Sequence, residues 1–389
     1  MDEYVESLES FEICCRIGQK KEMSKEEFAK FQSEQVQSWS PAEKKKICEM
    51  ISLLKPKLDS LVLDTLPALV ILVLTTGLEE SHAAYCRGKN AIFFPRKMAD
   101  TEKVQELAEL FAHELMHVIS RNMSSDKRDE LYSIIGFKPL GGRLEFPEEL
   151  VKITNPDSTF TEHFISVQMG KKEEQTLNVV PLMVGNTPEY VSGGLFEHIQ
   201  LVFLPVERDE KEGKWKCVRR PPEENDDFFD DQEDEDEGDH VHGEHCNHEH
   251  EEHQHVHGEN CNHEHEEDHG HHHAHQHQHV HGENCNHEHE KDHGHHHEEE
   301  GHVHGEHCNH DHGNDEEEEE GDGLELLILP PNMPPSFWKQ VGTNTNYIHA
   351  PEEILAENFS LLLTALPNDE RVQSPEIISN MASFFGKKN

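Results

Sequence analysis

The stretch ELFAHELMHVIS (residues 109–120) contains His113, Glu114 and His117 in the pattern His-Glu-x-x-His. Apolar residues recur around this pattern at the spacing of one helical face, at Val104, Leu107, Ala108, Phe111, Leu115 and Val118. The stretch therefore predicts a helix that is buried on one side. The two histidines and the glutamate are expected on a neighbouring stripe of the same helix.

The histidine content of the chain provides a control for this pattern. Of the 35 histidines, 29 lie in residues 223–322, and that tract contains two more matches, HEEDH (265–269) and HEKDH (289–293). Both follow from composition, and neither has an apolar helical face beside it. Outside the tract only six histidines remain, so a chance match there has odds on the order of a percent. The match at 113–117 therefore calls for a chemical interpretation.

Histidines at positions i and i+4 of a helix place two imidazoles on one face, within reach of one tetrahedral ion. His113 and His117 are thus predicted zinc ligands, with Glu114 beside the open coordination position. The alternative is a helix with two surface histidines and a solvated glutamate. A catalytic zinc also needs a third protein ligand and a position for water.

The best candidate for a third ligand lies in NYIHAPEEILAENFSLLL (346–363), where Pro351 opens a predicted helix. Glu353 and Glu357 are four residues apart, so both carboxylates face one way. The alternative is a pair of solvent-facing glutamates on an amphipathic helix. The other histidines outside the tract are isolated and more typical of turns or sheets: His82, His163 and His198.

These segments resemble the gluzincin zinc peptidases, in which a helix after the HExxH helix supplies a glutamate ligand. EILAENF is similar to a segment of anthrax lethal factor, another HExxH zinc peptidase. The strings LYSIIGF, TNPD, GTNTNYI and PEEILAENF also resemble uncharacterised bacterial HExxH proteins. The resemblance covers roughly residues 60–205 and 324–380.

The resemblance implies a zinc peptidase acting on a peptide or protein substrate. It implies that His113, His117 and Glu353 bind Zn²⁺, that Glu114 is the general base, and that Glu357 holds a ligand histidine from behind. In this chemistry zinc lowers the pKa of its bound water to ~7 and polarises the scissile carbonyl. The glutamate takes the water proton and later delivers it to the leaving amine.

The oxyanion of such a reaction needs a hydrogen-bond donor besides the metal. Tyr347 and His349 precede the predicted ligand helix and are the candidates, with Arg87 a weaker one. The predicted strand NAIFFP (90–95) precedes the HExxH helix. The resemblance implies that this strand lies at a sheet edge and can pair with an extended substrate.

The acidic tract explains most of the formal charge of −46, because residues 223–322 hold 37 Asp or Glu and one Lys. Four imperfect repeats in it have no recurring apolar positions, which predicts a disordered insertion with local metal-binding capacity. Clustered imidazoles and thiols suit zinc, nickel or copper. The accessory metal-binding residues predicted here are His240, His242, Cys246, His255, His257, Cys261, His279, His281, Cys285, His302, His304 and Cys308.

Two further hypotheses compete with a peptidase. One is a metal-binding or metal-buffering protein in which the zincin scaffold is catalytically inactive. The other is a deformylase-like hydrolase with a cysteine as third ligand, for which Cys86 is the upstream candidate, although its surroundings do not resemble that family's cysteine motif.

The predicted fold is α+β: a zincin-like domain with the HExxH helix packed on a mixed sheet, interrupted by the insertion. The expected segments are a helical N-terminus (1–60), the first part of the zincin-like domain (61–222), the insertion (223–322) and the second part (323–389).

The absence of a basic stripe argues against a nucleic-acid partner. The longest apolar run (66–77) is too short to span a bilayer and predicts a buried strand. The acidic N-terminus is not a secretory signal, so we expect a cytoplasmic protein with no membrane partner.

Overall fold

The structure, a computed structural model, describes residues 2–169, 175–221 and 324–386. By its contacts the chain divides into a unit of residues 1–236 with 320–389 and a second unit of residues 237–319. The second unit lies outside the described residues. So does the predicted insertion at 223–322 with its proposed accessory metal ligands.

The described residues form helices and both mixed and antiparallel sheets, which confirms the α+β class. The helices are α1 (Glu3–Ser7), α2 (Ser10–Ile17), α3 (Lys25–Glu34), α4 (Pro41–Leu58), α5 (Arg96–Ala99), α6 (Val104–Arg121), α7 (Ser125–Ser133), α8 (Pro335–Val341), α9 (Pro351–Thr364) and α10 (Pro375–Gly386). Within the described ranges, no helix is both long and apolar enough to cross a membrane.

The first sheet is mixed and has the strand order β1-β2-β4-β3. Its strands are β1 (Val36–Gln37), β2 (Ile71–Thr75), β3 (Tyr85–Arg87) and β4 (Ala91–Pro95). β2 and β4 run parallel, whereas β3 pairs antiparallel with β4. The prediction that 90–95 forms an edge strand is therefore wrong, because β3 covers the side of β4 that an extended substrate would need.

The second sheet is an antiparallel meander in the order β5-β6-β7-β8-β9. Its strands are β5 (Phe137–Pro139), β6 (His163–Met169), β7 (Gln175–Gly185), β8 (Ile199–Arg208) and β9 (Trp215–Cys217). A separate pair, β10 (Arg219–Arg220) and β11 (Glu325–Leu326), is antiparallel and flanks the undescribed segment 222–323.

Helix α6 carries the HExxH sequence and runs through the main hydrophobic core. Its apolar positions Leu107, Ala108, Phe111, Leu115 and Val118 are all buried, as their spacing predicts. Full burial of one such large apolar side chain stabilises the fold by about 1.5–3 kcal/mol. The same core contains Ile92 and Phe94 of β4 and Ile354, Leu355 and Phe359 of α9. Burial of both helices against a common core fixes α9 beside α6, and Ser360 of α9 donates a hydrogen bond to the Glu109 carbonyl (2.9 Å).

A variant that lacks residues 223–322 is expected to fold into a soluble core. Arg220 and Glu325 are already cross-strand partners, so a short turn can replace the removed segment, and loop length carries a small entropic cost. The thermal unfolding midpoint should stay within a few degrees of that of the full chain. A large fall in Tm, or an insoluble product, would mean that the segment contributes to the core.

Candidate metal centre

Three potential ligand atoms from α6 and α9 converge on one point. The Nε2 atoms of His113 and His117 are 3.1 Å apart. Glu353 Oε2 lies 3.1 Å from His113 Nε2 and 3.5 Å from His117 Nε2. The residues form one of the two His/Cys/Asp/Glu clusters within the described residues that could hold a metal ion. The predicted trio is thus brought together across 240 positions of sequence.

The separations fit a tetrahedral metal. Zinc–nitrogen and zinc–oxygen bonds of about 2.0–2.1 Å imply about 3.3 Å between neighbouring ligand atoms. The three measured separations lie on either side of that value. With three protein ligands, a tetrahedral ion bound there would keep a fourth position for water or substrate, and the side chain of His113 is 12% exposed. The nitrogen and oxygen donors present therefore fit a zinc ion.

Two further side chains orient the proposed ligands. Glu357 Oε1 lies 3.0 Å from His113 Nδ1. A proton on Nδ1 leaves Nε2 of that histidine free to bind a metal. Asn155 Nδ2 donates to Glu353 Oε1 (2.6 Å), which turns Oε2 of the same carboxylate toward the histidines. His117 Nδ1 is buried without a hydrogen-bond partner among the described residues, so the polar contacts that orient this ring are those of its Nε2.

The electrostatics of the cluster favour positive charge at its centre. Burial alone would lower the pKa of His113, but the hydrogen bonds to Glu353 and Glu357 outweigh it and raise the pKa well above its usual range. Burial would raise the pKa of Glu353, yet the charge of His117 and the bond to His113 hold it well below its usual range. A carboxylate that stays ionised in the interior, beside two imidazoles, suits a bound cation.

Glu114 lies on the same helix and is 3% exposed. Burial, followed by the charge of Asp157, raises its pKa to about 7. A divalent cation beside it would pull that pKa down again, so the carboxylate would be ionised and able to accept a proton. The Cys86 thiol donates a hydrogen bond to Glu114 Oε2 (3.3 Å).

Cys86 belongs to the second cluster, with Glu114 and Asp157. Burial raises the pKa of its thiol well above the usual range, and its Sγ contacts the Glu114 carbonyl (3.2 Å) and Glu114 Oε2 (3.3 Å). Glu353, and not Cys86, completes the histidine pair. The geometry therefore does not favour the deformylase-like hypothesis.

The loop 154–158, which contains the string TNPD, supplies two residues that the sequence hypothesis did not single out. Asn155 Oδ1 accepts a hydrogen bond from the Asp157 backbone N–H (2.8 Å), which fixes its amide nitrogen as the donor to Glu353. Asp157 Oδ1 accepts from the Cys86 backbone N–H (2.8 Å) and pairs with Arg121 (3.4 Å). In the sequence these two residues are marked only by the string TNPD, which by itself indicates no role for them.

The two candidate oxyanion donors differ in their surroundings. His349 is buried, and its Nε2 accepts a hydrogen bond from Asn155 Nδ2 (2.9 Å). Burial also lowers its pKa, so the ring is neutral and its Nε2 carries no proton to donate. Tyr347 is 42% exposed, and its ring lies 6.4 Å from that of His113. Tyr347 is therefore the better donor candidate, and His349 is its packing partner at 4.3 Å between ring centroids.

The segment before α9 is pinned by Asn344. Its Nδ2 donates to Asn358 Oδ1 (2.8 Å) on α9 and to the Ser374 carbonyl (3.0 Å). Its Oδ1 accepts from the Ser374 backbone N–H (2.6 Å). These bonds join the string GTNTNYI to α9, and they fix the start of the segment that carries Tyr347.

The remaining candidates lie elsewhere. His163 pairs with Asp129 (2.7 Å), His198 donates to the Ser192 carbonyl (2.8 Å), and His82 is exposed in a turn at φ +65°. The Arg87 guanidinium binds Asp2 and stacks over the Tyr4 ring. None of the four belongs to either potential metal cluster of the described residues.

The edge strand near the centre is β3, but its outward hydrogen-bond donor is occupied. The backbone N–H of Cys86 points to Asp157. Strand addition by a substrate at this point would have to displace that carboxylate.

Comparisons of the chain with protein-family models, curated proteins and solved structures give no match.

Proposed function

We propose that the chain is a zinc-dependent peptidase with a zincin-like fold. The observation that carries the proposal is the convergence of two imidazole nitrogens and one carboxylate oxygen within 3.5 Å of one another. Support comes from Glu357 behind His113 and from Asn155 behind Glu353. The helix pair α6 and α9, packed in one core with a mixed sheet, is the arrangement expected of a zincin.

In this proposal the metal ligands are His113, His117 and Glu353, and zinc bound there would supply a Lewis acid that polarises the substrate carbonyl and acidifies water. Glu114 accepts the proton of the attacking water and returns it to the departing amine. The exposed Tyr347 hydroxyl donates a hydrogen bond to the oxyanion. His349 stays neutral and packs against Tyr347.

The substrate class of the proposal is a peptide or protein. Because Asp157 occupies the outward amide of β3, we propose that a substrate is held mainly by side-chain contacts near Tyr347 and Glu357, the two most exposed residues of the centre. Backbone hydrogen bonds between the substrate and the edge strand β3 contribute little to binding.

The second candidate function is metal binding without turnover. The occupied amide of β3 and the low exposure of Glu114 favour it, since both restrict a substrate. In that case the centre would be a structural or sensing site, and the histidine-rich segment would bind further zinc, nickel or copper.

Removal of metal separates the two functions. A chelator should abolish peptide hydrolysis by the variant lacking 223–322, and one equivalent of zinc per chain should restore it. The reason is that His113, His117 and Glu353 provide one site. A broad peptide library with mass-spectrometric detection is the assay. A zinc-loaded chain that cleaves nothing across such a library would favour metal binding without turnover.

A further inference from the structure

Helix α2 buries two charged side chains one helical turn apart. Glu12 and Arg16 are 2% and 1% exposed, and Glu12 Oε1 lies 3.6 Å from Arg16 Nη2. Arg16 Nη1 also pairs with Glu80 Oε2 at 2.6 Å. Because removing charges from water costs several kcal/mol per ion, a buried pair is weak evidence of a stabilising role. What these side chains hold is more informative.

Both side chains bind the backbone of Thr154. Glu12 Oε1 accepts a hydrogen bond from the Thr154 N–H (2.6 Å), and Arg16 Nη2 donates to the Thr154 carbonyl. Since the N–H and the C=O of one residue are both fixed, the backbone cannot rotate there without breaking a charge-assisted hydrogen bond.

The next residue along the chain reaches the metal centre. Asn155 donates to Glu353 Oε1 (2.6 Å) and to His349 Nε2 (2.9 Å). We propose that Glu12 and Arg16 are positioning residues of the metal centre, which act through Thr154 and Asn155 on the Glu353 carboxylate. The inference rests on the proposed function of that carboxylate as third ligand.

The positioning role follows from the different contacts of the two carboxylate oxygens of Glu353. Its Oε1 is held by Asn155, while its Oε2 faces the histidines. A rotation of the loop would free Oε1, and the carboxylate could then turn away from His113 and His117. Ligands need to be held within about 0.5 Å of their binding geometry, so the N-terminal helices are part of the centre and not a separate module.

The conformation of the loop can be followed by hydrogen exchange of two backbone amides. Asp157 N–H is bonded to Asn155 Oδ1, and Cys86 N–H is bonded to Asp157 Oδ1. Hydrogen exchange of segments 84–88 and 153–158, in the full chain with chelator present, therefore measures the loop without reference to metal. Glu12→Leu should speed exchange in both segments by on the order of tenfold, as expected for the loss of the hydrogen bond from the Thr154 N–H to a charged group. It also removes the acceptor of the Glu9 N–H (3.0 Å) at the start of α2. Glu12→Gln keeps an acceptor for Thr154 and should restore the parent rates.

Metal binding provides the second readout. The zinc bound at His113 is measured in the full chain as a difference: the zinc bound by each variant minus the zinc bound by the same variant with His113→Ala. This subtraction removes the zinc bound by the histidine-rich segment. The zinc affinity at His113 should fall on the order of tenfold in Glu12→Leu, the low end of the effect of losing an outer partner, and recover in Glu12→Gln. Unchanged loop exchange in Glu12→Leu, or equally faster exchange throughout α6, would overturn the positioning role. A parent chain without His113-dependent zinc would end the proposed function, while the exchange rates would still decide the inference about the loop.

Discussion

Replacing Glu114 by glutamine is expected to leave zinc bound and to lower peptide hydrolysis by at least ~10²-fold, since general base catalysis typically contributes 10²–10⁴. Glutamine has the shape of glutamate and can still accept the hydrogen bond from Cys86, so the fold and both histidines stay in place. An amide cannot take the proton of the attacking water. The measurement is the rate of cleavage of the best library peptide, together with zinc content.

The histidine-rich segment supplies matched controls for this variant. Glu266→Gln and Glu290→Gln alter the two other His-Glu-x-x-His matches in the chain and should change neither zinc at the centre nor hydrolysis. His113→Ala should lose both. A Glu114→Gln variant as active as the parent chain would refute the mechanism.

Glu353→Ala is the second change with a large expected effect. It removes the carboxylate 3.1 Å from His113 Nε2, so zinc affinity should fall by more than the ~10–100-fold that is typical when only a supporting partner is lost. The measurement is a competition with a coloured chelator in the variant lacking 223–322, where other histidines do not obscure the loss.

Glu352 is the control for Glu353 because neighbours on a helix point about 100° apart. Glu352 accepts a hydrogen bond from Ser158 (3.0 Å) and bonds with the Tyr132 hydroxyl, away from the metal centre. Glu352→Gln preserves these contacts and should leave zinc affinity within about threefold. Substitutions that break no buried contact or ligand bond typically change free energies by only a few tenths of a kcal/mol. Equal losses in the two variants would mean that the third ligand is not Glu353.

Helical periodicity explains why part of the centre was predictable from the sequence. The i, i+4 spacing places His113 and His117 on one face, and the same spacing brings Glu357 to the back of His113 when Glu353 is at the front. Each of these relations is local in sequence. The pairing of the two helices was inferred from resemblance, and it is consistent with their shared core.

The contacts of Asn155 and Asp157 could not be predicted in the same way. Asn155 contacts Glu353 across 198 positions, and Asp157 contacts Cys86 across 71. No local period relates a loop residue to a partner that tertiary folding brings near. Burial of Glu12 and Arg16 was equally hidden, because charged residues on a short helix are ordinarily exposed.

The prediction that residues 90–95 lie at a sheet edge was wrong for a different reason. β3 has three residues, Tyr85–Arg87, and neither its length nor its composition indicates a strand. Without β3, the apolar run of β4 has no outer neighbour and is expected at the edge. The antiparallel partner that moved it inside becomes visible only in the folded chain.

The claim that His113, His117 and Glu353 bind one zinc ion is tested most directly by zinc X-ray absorption. The sample is the variant lacking 223–322, loaded with one equivalent of zinc. We expect a four-coordinate ion with nitrogen and oxygen neighbours at about 2.0–2.1 Å, two imidazoles among them, and loss of the bound zinc in His117→Ala. A sulfur neighbour at about 2.3 Å, or zinc that persists unchanged in His117→Ala, would contradict it.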